Sequence, residues 1–215
     1  MNNDVPEGWS IVTPCFENVG ENKAYAIDNF LIEGVADCDA TVQVMNSDGS
    51  WGAQGFWFNE AVFNGITYPA GWCTGRDGLT PANITLNPGD AVMLNTKNAA
   101  KIQSAGQVSA IITKDVEAGW SMIGNASPTA ISIDSITLIG VADCDATVQV
   151  MNADGSWGVQ GFWFNEAVFN GVTYPAGWCT GRDGLTPAAI TLQPGQSVMF
   201  NTKDAAKVVL PSALK

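Results

Sequence analysis

The sequence predicts an all-β protein made of two tandem repeats, each a β-sandwich or partly closed barrel, related by pseudo-symmetry. Three observations carry that expectation. The stretch from Val35 to Ile102 returns from Val141 to Val208 at an offset of 106 (141 − 35). About ten positions differ over nearly seventy, the mark of a duplicated structural unit. The chain holds 23 Gly and 10 Pro in 215 residues, which breaks it into short segments joined by turns. No segment sustains the 3.6-residue period of an amphipathic helix. The exchanges Ile66/Val172, Leu94/Phe200 and Ile102/Val208 keep apolar character, so these positions are expected to face inward.

Taken in order, residues 1–7 form a polar lead, and Gly8–Val12 reads as the first strand. Its copy, Gly119–Ile123, stands at an offset of 111 (119 − 8), so the first repeat carries extra residues. They fall in the loop Pro14–Lys23, with Cys15, Glu17 and Glu21, and the register returns at Ile27-Asp28 and Ile133-Asp134. The domains are accordingly 1–115 and 116–215. Strands are expected near Asn29–Val35 and Thr41–Met45. Asn46-Ser47-Asp48-Gly49-Ser50 is a turn, since Asp and Gly accept the backbone a tight hairpin needs. The return strand is Trp51–Phe58, with Phe56 and Phe58 on one face and Trp57 on the other. Asn59–Pro81 reads as a long irregular loop, and such loops often carry function. Ile84–Leu86, the turn Asn87–Asp90 and Ala91–Thr96 read as a second hairpin. A helical turn is expected near Asn98–Lys101, and Gln107–Thr113 as the last strand of repeat one. Its counterpart in repeat two is shortened and starts after Pro211. That predicts an unfilled edge in repeat two, open to a strand from another chain.

Composition narrows the function classes. The net charge is −12, which opposes binding to nucleic acid and to anionic membrane surfaces. No apolar run approaches a membrane span, and no cationic start with an apolar core marks a signal peptide. Histidine is absent, so imidazole-based catalysis and metal ligation are excluded.

Four of the five cysteines follow the repeat offset, Cys38 with Cys144 and Cys73 with Cys179. The expectation is one disulfide per repeat, Cys38–Cys73 and Cys144–Cys179, each closing a loop worth about 3–4 kcal/mol in an oxidising setting. Buried thiols are the plainer alternative. Cys15 has no repeat partner and is expected to be an unpaired thiol.

Other candidate residues are weighed against plainer roles. Asp37, Asp39, Asp48 and Asp77, with copies Asp143, Asp145, Asp154 and Asp183, offer hard oxygens to calcium, but Asp at turns commonly bonds nearby backbone N–H groups. No other cofactor is expected. Glu60 and Asp77 could be drawn as a glycosidase pair, yet any acidic β protein permits that drawing, so no enzymatic activity is expected. Arg76 and Arg182 are the only arginines and read as loop fasteners binding a carboxylate or carbonyls. Trp51, Trp57 and Trp72, with Trp157, Trp163 and Trp178, offer flat rings for glycan stacking, although most Trp in a small domain is core.

Gly8-Trp9-Ser10 at the first strand, Pro88-Gly89-Asp90-Ala91-Val92-Met93 at the late hairpin and Asn95-Thr96 after it resemble a known pattern. It is that of β-rich modules of roughly 100 residues in secreted and surface proteins of environmental and gut bacteria, which typically read Gly-Trp-Asn and Pro-Gly-x-Gly-Phe-Trp-Val at these places. The resemblance implies β architecture and extracellular display, and no activity. The expected function is therefore a non-enzymatic extracellular or cell-surface structural protein. Its expected partners are other copies of itself or a larger surface assembly. The alternative is a carbohydrate-binding module using an exposed Trp in each repeat.

Overall fold

The computed structural model describes residues 2–214. The first half runs β1 (Asn2–Val5), β2 (Gly8–Val12), β3 (Tyr25–Ala26), a 3-10 turn at Ile27–Asn29, β4 (Leu31–Glu33), β5 (Ala40–Met45), β6 (Trp51–Phe58), β7 (Ala61–Phe63), β8 (Ile66–Tyr68), β9 (Gly71–Cys73), β10 (Thr85–Leu86), β11 (Val92–Thr96) and β12 (Ala100–Gln103). The second half runs β13 (Ile112–Val116), β14 (Gly119–Gly124), β15 (Ile131–Ser132), a 3-10 turn at Ile133–Ser135, β16 (Thr137–Ile139), β17 (Ala146–Met151), β18 (Trp157–Phe164), β19 (Ala167–Phe169), β20 (Val172–Tyr174), β21 (Gly177–Cys179), β22 (Thr191–Leu192), β23 (Ser197–Thr202) and β24 (Ala206–Leu210).

The chain is all-β, and among the described residues its paired strands run antiparallel. One five-stranded sheet has the order β2-β11-β5-β6-β9 and another β14-β23-β17-β18-β21. Three-stranded sheets have the orders β1-β12-β4 and β13-β24-β16. Among the described residues each sheet is open, and none closes into a barrel.

Strand alternation explains the packing. Val92 and Leu94 of β11 enter a core with Val42, Trp57, Trp72, Ile102 and Phe30, while Met93 between them points the other way. In β23, Val198 and Phe200 enter a second core with Val148, Trp163, Trp178 and Val208, and Met199 points away. The outward residues meet in a third cluster of Ile11, Ala91, Met93, Met122 and Met199, flanked by Met45 and Met151. The central strands are therefore buried on both faces, which is why they read as unbroken apolar runs.

Backbone bonds reinforce this seam. Thr13 N–H donates to Gly195 O at 3.0 Å, and Gly124 N–H donates to Gly89 O at 3.1 Å. Val12 bridges Gln196, and Asp90 bridges Ile123. Lys114 Nζ lies 2.5 Å from Asp90 Oδ1, and Asn3 Nδ2 donates to Pro194 O at 3.0 Å. Two crevices of about 260 and 280 Å³ flank the seam.

Several expectations are corrected. The turn at Asn87–Asp90 forms, with Asp90 N–H donating to Asn87 O, but it joins no hairpin. β10 pairs with β3, and β11 pairs with β2 and β5. Residues 100–103 form a strand, and the helical turns lie at Ile27–Asn29 and Ile133–Ser135. The strand expected at Gln107–Thr113 is Ile112–Val116, and it pairs with β24 rather than completing the first half. It straddles the expected boundary at 115/116. β1 makes the matching pair with β12. The edge expected to be empty at the C-terminal end is thus occupied by β13, and an incoming strand has no vacancy there. Leu94, Phe200, Ile102 and Val208 are buried as expected, but Ile66 and Val172 are exposed.

Candidate functional site

The irregular loop expected at Asn59–Pro81 contains an ordered arm. β6 and β9 pair with Phe58 opposite Gly71, and three residues further along each strand Ala61 is opposite Tyr68. The ladder of β7 and β8 therefore continues the register of β6 and β9. The break between them has two causes. Asn59 is drawn aside, its N–H bonding Asp37 Oδ1 at 2.8 Å and its Nδ2 bonding Val35 O at 3.1 Å. Pro69 has no N–H to give to a ladder. Asn64 and Gly65, with φ of 51° and 76°, close the tip with the backbone of a type I′ turn.

From Phe58 to Asn64 the arm extends about 20 Å at roughly 3.3 Å per residue. Ala61, Phe63, Ile66 and Tyr68 share one face, Val62 and Thr67 the other. Every residue of β7 and β8 is exposed, Phe63 by 66%. The same arm stands at Ala167–Tyr174, with Phe169 also exposed by 66%. Between Ala61 and Pro69 there is no Asp, Glu, Lys or Arg, and Glu60 sits at the base.

The tryptophans divide in two. Trp57, Trp72, Trp163 and Trp178 are fully buried, Trp72 to 1% exposure, so no face of these rings is open to a sugar. Trp72 Nε1 donates to Phe30 O at 2.9 Å, and its ring meets Trp57 edge-on at 5.4 Å. Trp163 and Trp178 repeat that contact at 5.4 Å. Trp51 and Trp157 remain half exposed. Trp9 and Trp120, which sequence reasoning did not single out, are equally exposed. A Cβ added at Gly49 would lie 3.6 Å from Trp120 Cβ, so Trp120 and Trp51 flank one turn from opposite sides of the seam.

Arg76 and Arg182, expected to bind a carboxylate or carbonyls, each lie over an aromatic ring. The Arg76 guanidinium lies 4.5 Å over the Phe56 ring, and that of Arg182 lies 4.7 Å over Phe162. No ion pair to either arginine forms among the described residues.

The candidate calcium ligands are not brought together. Asp37 and Asp143 accept from Asn59 and Asn165, and Asp48 and Asp154 accept from Ser50 and Ser156. Asp77 and Asp183 accept from the N–H groups of Leu79 and Leu185, while Asp39 and Asp145 pair with Lys97 and Lys203. Among the described residues no three acidic or thiol side chains converge on a metal-sized site. Asp48, Asp77 and their copies thus bond within turns, whereas Asp37, Asp39 and their copies link separate segments. Glu60 lies at the arm base and Asp77 in the turn after β9, in separate segments.

All five cysteines are free, so the Cys38–Cys73 and Cys144–Cys179 bonds are not formed. Cys38 Sγ is instead directed at Arg76 O at 3.8 Å, and Cys144 Sγ at Arg182 O at 3.7 Å. Cys73 faces Phe56 across the ladder, and Cys179 faces Phe162. Burial, then the carboxylates of Asp28 and Asp77, push the Cys73 thiol pKa up, and Asp134 and Asp183 do the same after burial for Cys179. Cys15 is fully buried, and burial raises its pKa.

No protein-family model, curated protein or solved structure matches this chain. No helix among the described residues is long and apolar enough to cross a membrane.

Proposed function

We propose that this chain is a non-enzymatic structural protein of an extracellular or cell-surface setting, acting by association with other copies or within a larger array. Its two tandem β-sandwich repeats form a pseudo-symmetric frame that presents interaction elements. The carrying observation is the pair of ordered, uncharged, apolar arms at residues 61–68 and 167–174. Apolar area of this kind is normally buried, and when displayed it marks an interaction surface. Asp37 and Asp77 accept backbone hydrogen bonds, and Asp39 pairs with Lys97. Static light scattering on the purified chain tests the reading. A mass above that of one chain, rising with concentration, supports it, and a single-chain mass throughout contradicts it.

A carbohydrate-binding module is the second reading. It is favoured by the half-exposed rings of Trp9, Trp51, Trp120 and Trp157 beside the two turns at the seam. An oligosaccharide array separates the two: a hit abolished by Trp51→Ala with Trp157→Ala supports the second reading, and an array without hits removes it.

A further inference from the structure

We propose that the two arms are self-association elements, the Phe63–Ile66–Tyr68 face of one chain packing against the equivalent arm face of a second copy. This deepens the assembly reading above and depends on it.

Four features select a second copy as the occupant. The arms differ from each other at one position between 61 and 69, Ile66 against Val172, so whatever surface binds one arm binds both. Like surfaces related by a two-fold axis form an isologous contact, and near-identical arms meet that requirement within and between chains. Charge comes second. Two chains of net charge −12 repel, yet the contact strip itself is uncharged. An arm about 20 Å long exceeds the roughly 8 Å over which charge acts at physiological salt. Face-to-face packing of two arms pointing in opposite directions therefore joins the chains while holding the acidic bodies about 20 Å apart, screened from each other.

Area is the third feature. Taking roughly 150–250 Å² for a fully exposed large side chain, each arm face offers about 350 Å². Two facing arms then remove about 700 Å² from water, below the roughly 1,200–2,000 Å² of a stable specific interface. A second arm contact adds about as much again, so a chain held through both arms gains avidity that a single arm contact lacks. The fourth feature weighs against a lipid surface. Segments that enter the bilayer interface are commonly flanked by Lys or Arg, and here each arm base carries Glu60 or Glu166.

Sedimentation velocity of the full chain over a wide concentration range at physiological salt is the test. Three forms are compared: the native chain, a one-arm variant with Phe63→Thr and Ile66→Thr, and a two-arm variant adding Phe169→Thr and Val172→Thr. Thr keeps strand preference at these exposed positions, and near-UV circular dichroism checks that the fold is retained. A double variant with Phe63→Lys and Phe169→Lys serves should the first fail to fold. The native chain is expected to form dimers and larger species. The one-arm variant stops at dimer and associates at least tenfold more weakly, and the two-arm variant stays monomeric. Leu79→Thr with Leu185→Thr, at equally exposed positions outside the arms, leaves association unchanged. If the two-arm variant assembles as the native chain does, the arms are not the contact, although assembly itself stands. If the native chain is monomeric throughout, both proposals fall. Binding of such a monomer to phosphatidylcholine vesicles, lost in the two-arm variant, assigns the arms to a lipid surface instead.

Discussion

Replacing Trp72 by Ala should strongly destabilise the first half of the molecule, whereas replacing Trp51 by Ala should barely affect it. Trp72 is buried among Phe30, Trp57 and the β6–β9 ladder. Its removal leaves a large cavity, a change that typically costs about 3–5 kcal/mol. It also orphans the Phe30 carbonyl, which accepts from Trp72 Nε1, and an unpaired buried acceptor costs about 1–3 kcal/mol. The two terms overlap, so about 4–6 kcal/mol is expected, a large share of the roughly 5–15 kcal/mol that holds an ordinary domain together. At a urea slope of roughly 1–3 kcal/mol per molar, the first transition moves down by more than about 1 M. Trp51 is 48% exposed, and its truncation is expected to cost under about 1 kcal/mol. Urea titrations followed by fluorescence and far-UV circular dichroism measure both. Equal midpoint shifts for Trp51→Ala and Trp72→Ala would refute the division of the tryptophans into core and surface.

Three further outcomes are expected. Burial disfavours the Glu17 carboxylate, but bonds from Lys23 at 2.7 Å and Gln107 at 2.8 Å outweigh it and hold its pKa below the ordinary value. A lowered folded-state pKa gives stability that is present above the unfolded value of about 4.3 and fades as pH falls through the folded one. The melting-temperature gap between the native chain and Glu17→Gln should therefore narrow from about pH 6 to about pH 3, and a constant gap contradicts this assignment. Cys15, fully buried with a raised pKa, should resist alkylation at neutral pH in the folded chain and react after denaturation, as read by peptide mass mapping. Gly124→Ala places a Cβ against the Thr13 side chain and 2.7 Å from Ser197 Oγ at the seam. It should cost about 1–3 kcal/mol and broaden or split the calorimetric transition, and an unchanged trace argues against a tightly packed seam.

Much of the framework was legible in the residues. The duplicated stretch, the turn at Asn46–Ser50 and the opposite facing of Phe56 and Trp57 are local signals, and local signals survive folding. Trp57 does enter the core while Phe56 carries Arg76 on the other face. Long-range pairing was not legible. Leu86 and Val92 flank a sound turn, yet their strands pair with β3 and β2 instead, because burial in two separate sheets outweighs the hairpin the turn suggests. The strand Asn2–Val5 carries almost no apolar signal and is defined by its partner, β12. The seam was hidden because Met93 and Met199 look like core residues whichever way they face. The arm was legible and was missed. Asn64-Gly65 between Ala-Val-Phe and Ile-Thr-Tyr is a strong hairpin signal, obscured by the glycines and prolines that surround it. Treating Ile66/Val172 as an inward-facing exchange had the same origin: apolar character alone does not fix which way a residue faces, and both of these are exposed.

Hydrogen–deuterium exchange measured at increasing protein concentration tests the central claim most directly. If the chain works by association through its arms, amides in residues 59–70 and 165–176 gain protection as concentration rises, while peptides covering the turns at Asn46–Ser50 and Asn152–Ser156 do not. Arm exchange that is identical at every concentration, or new protection confined to those turns, would contradict the account.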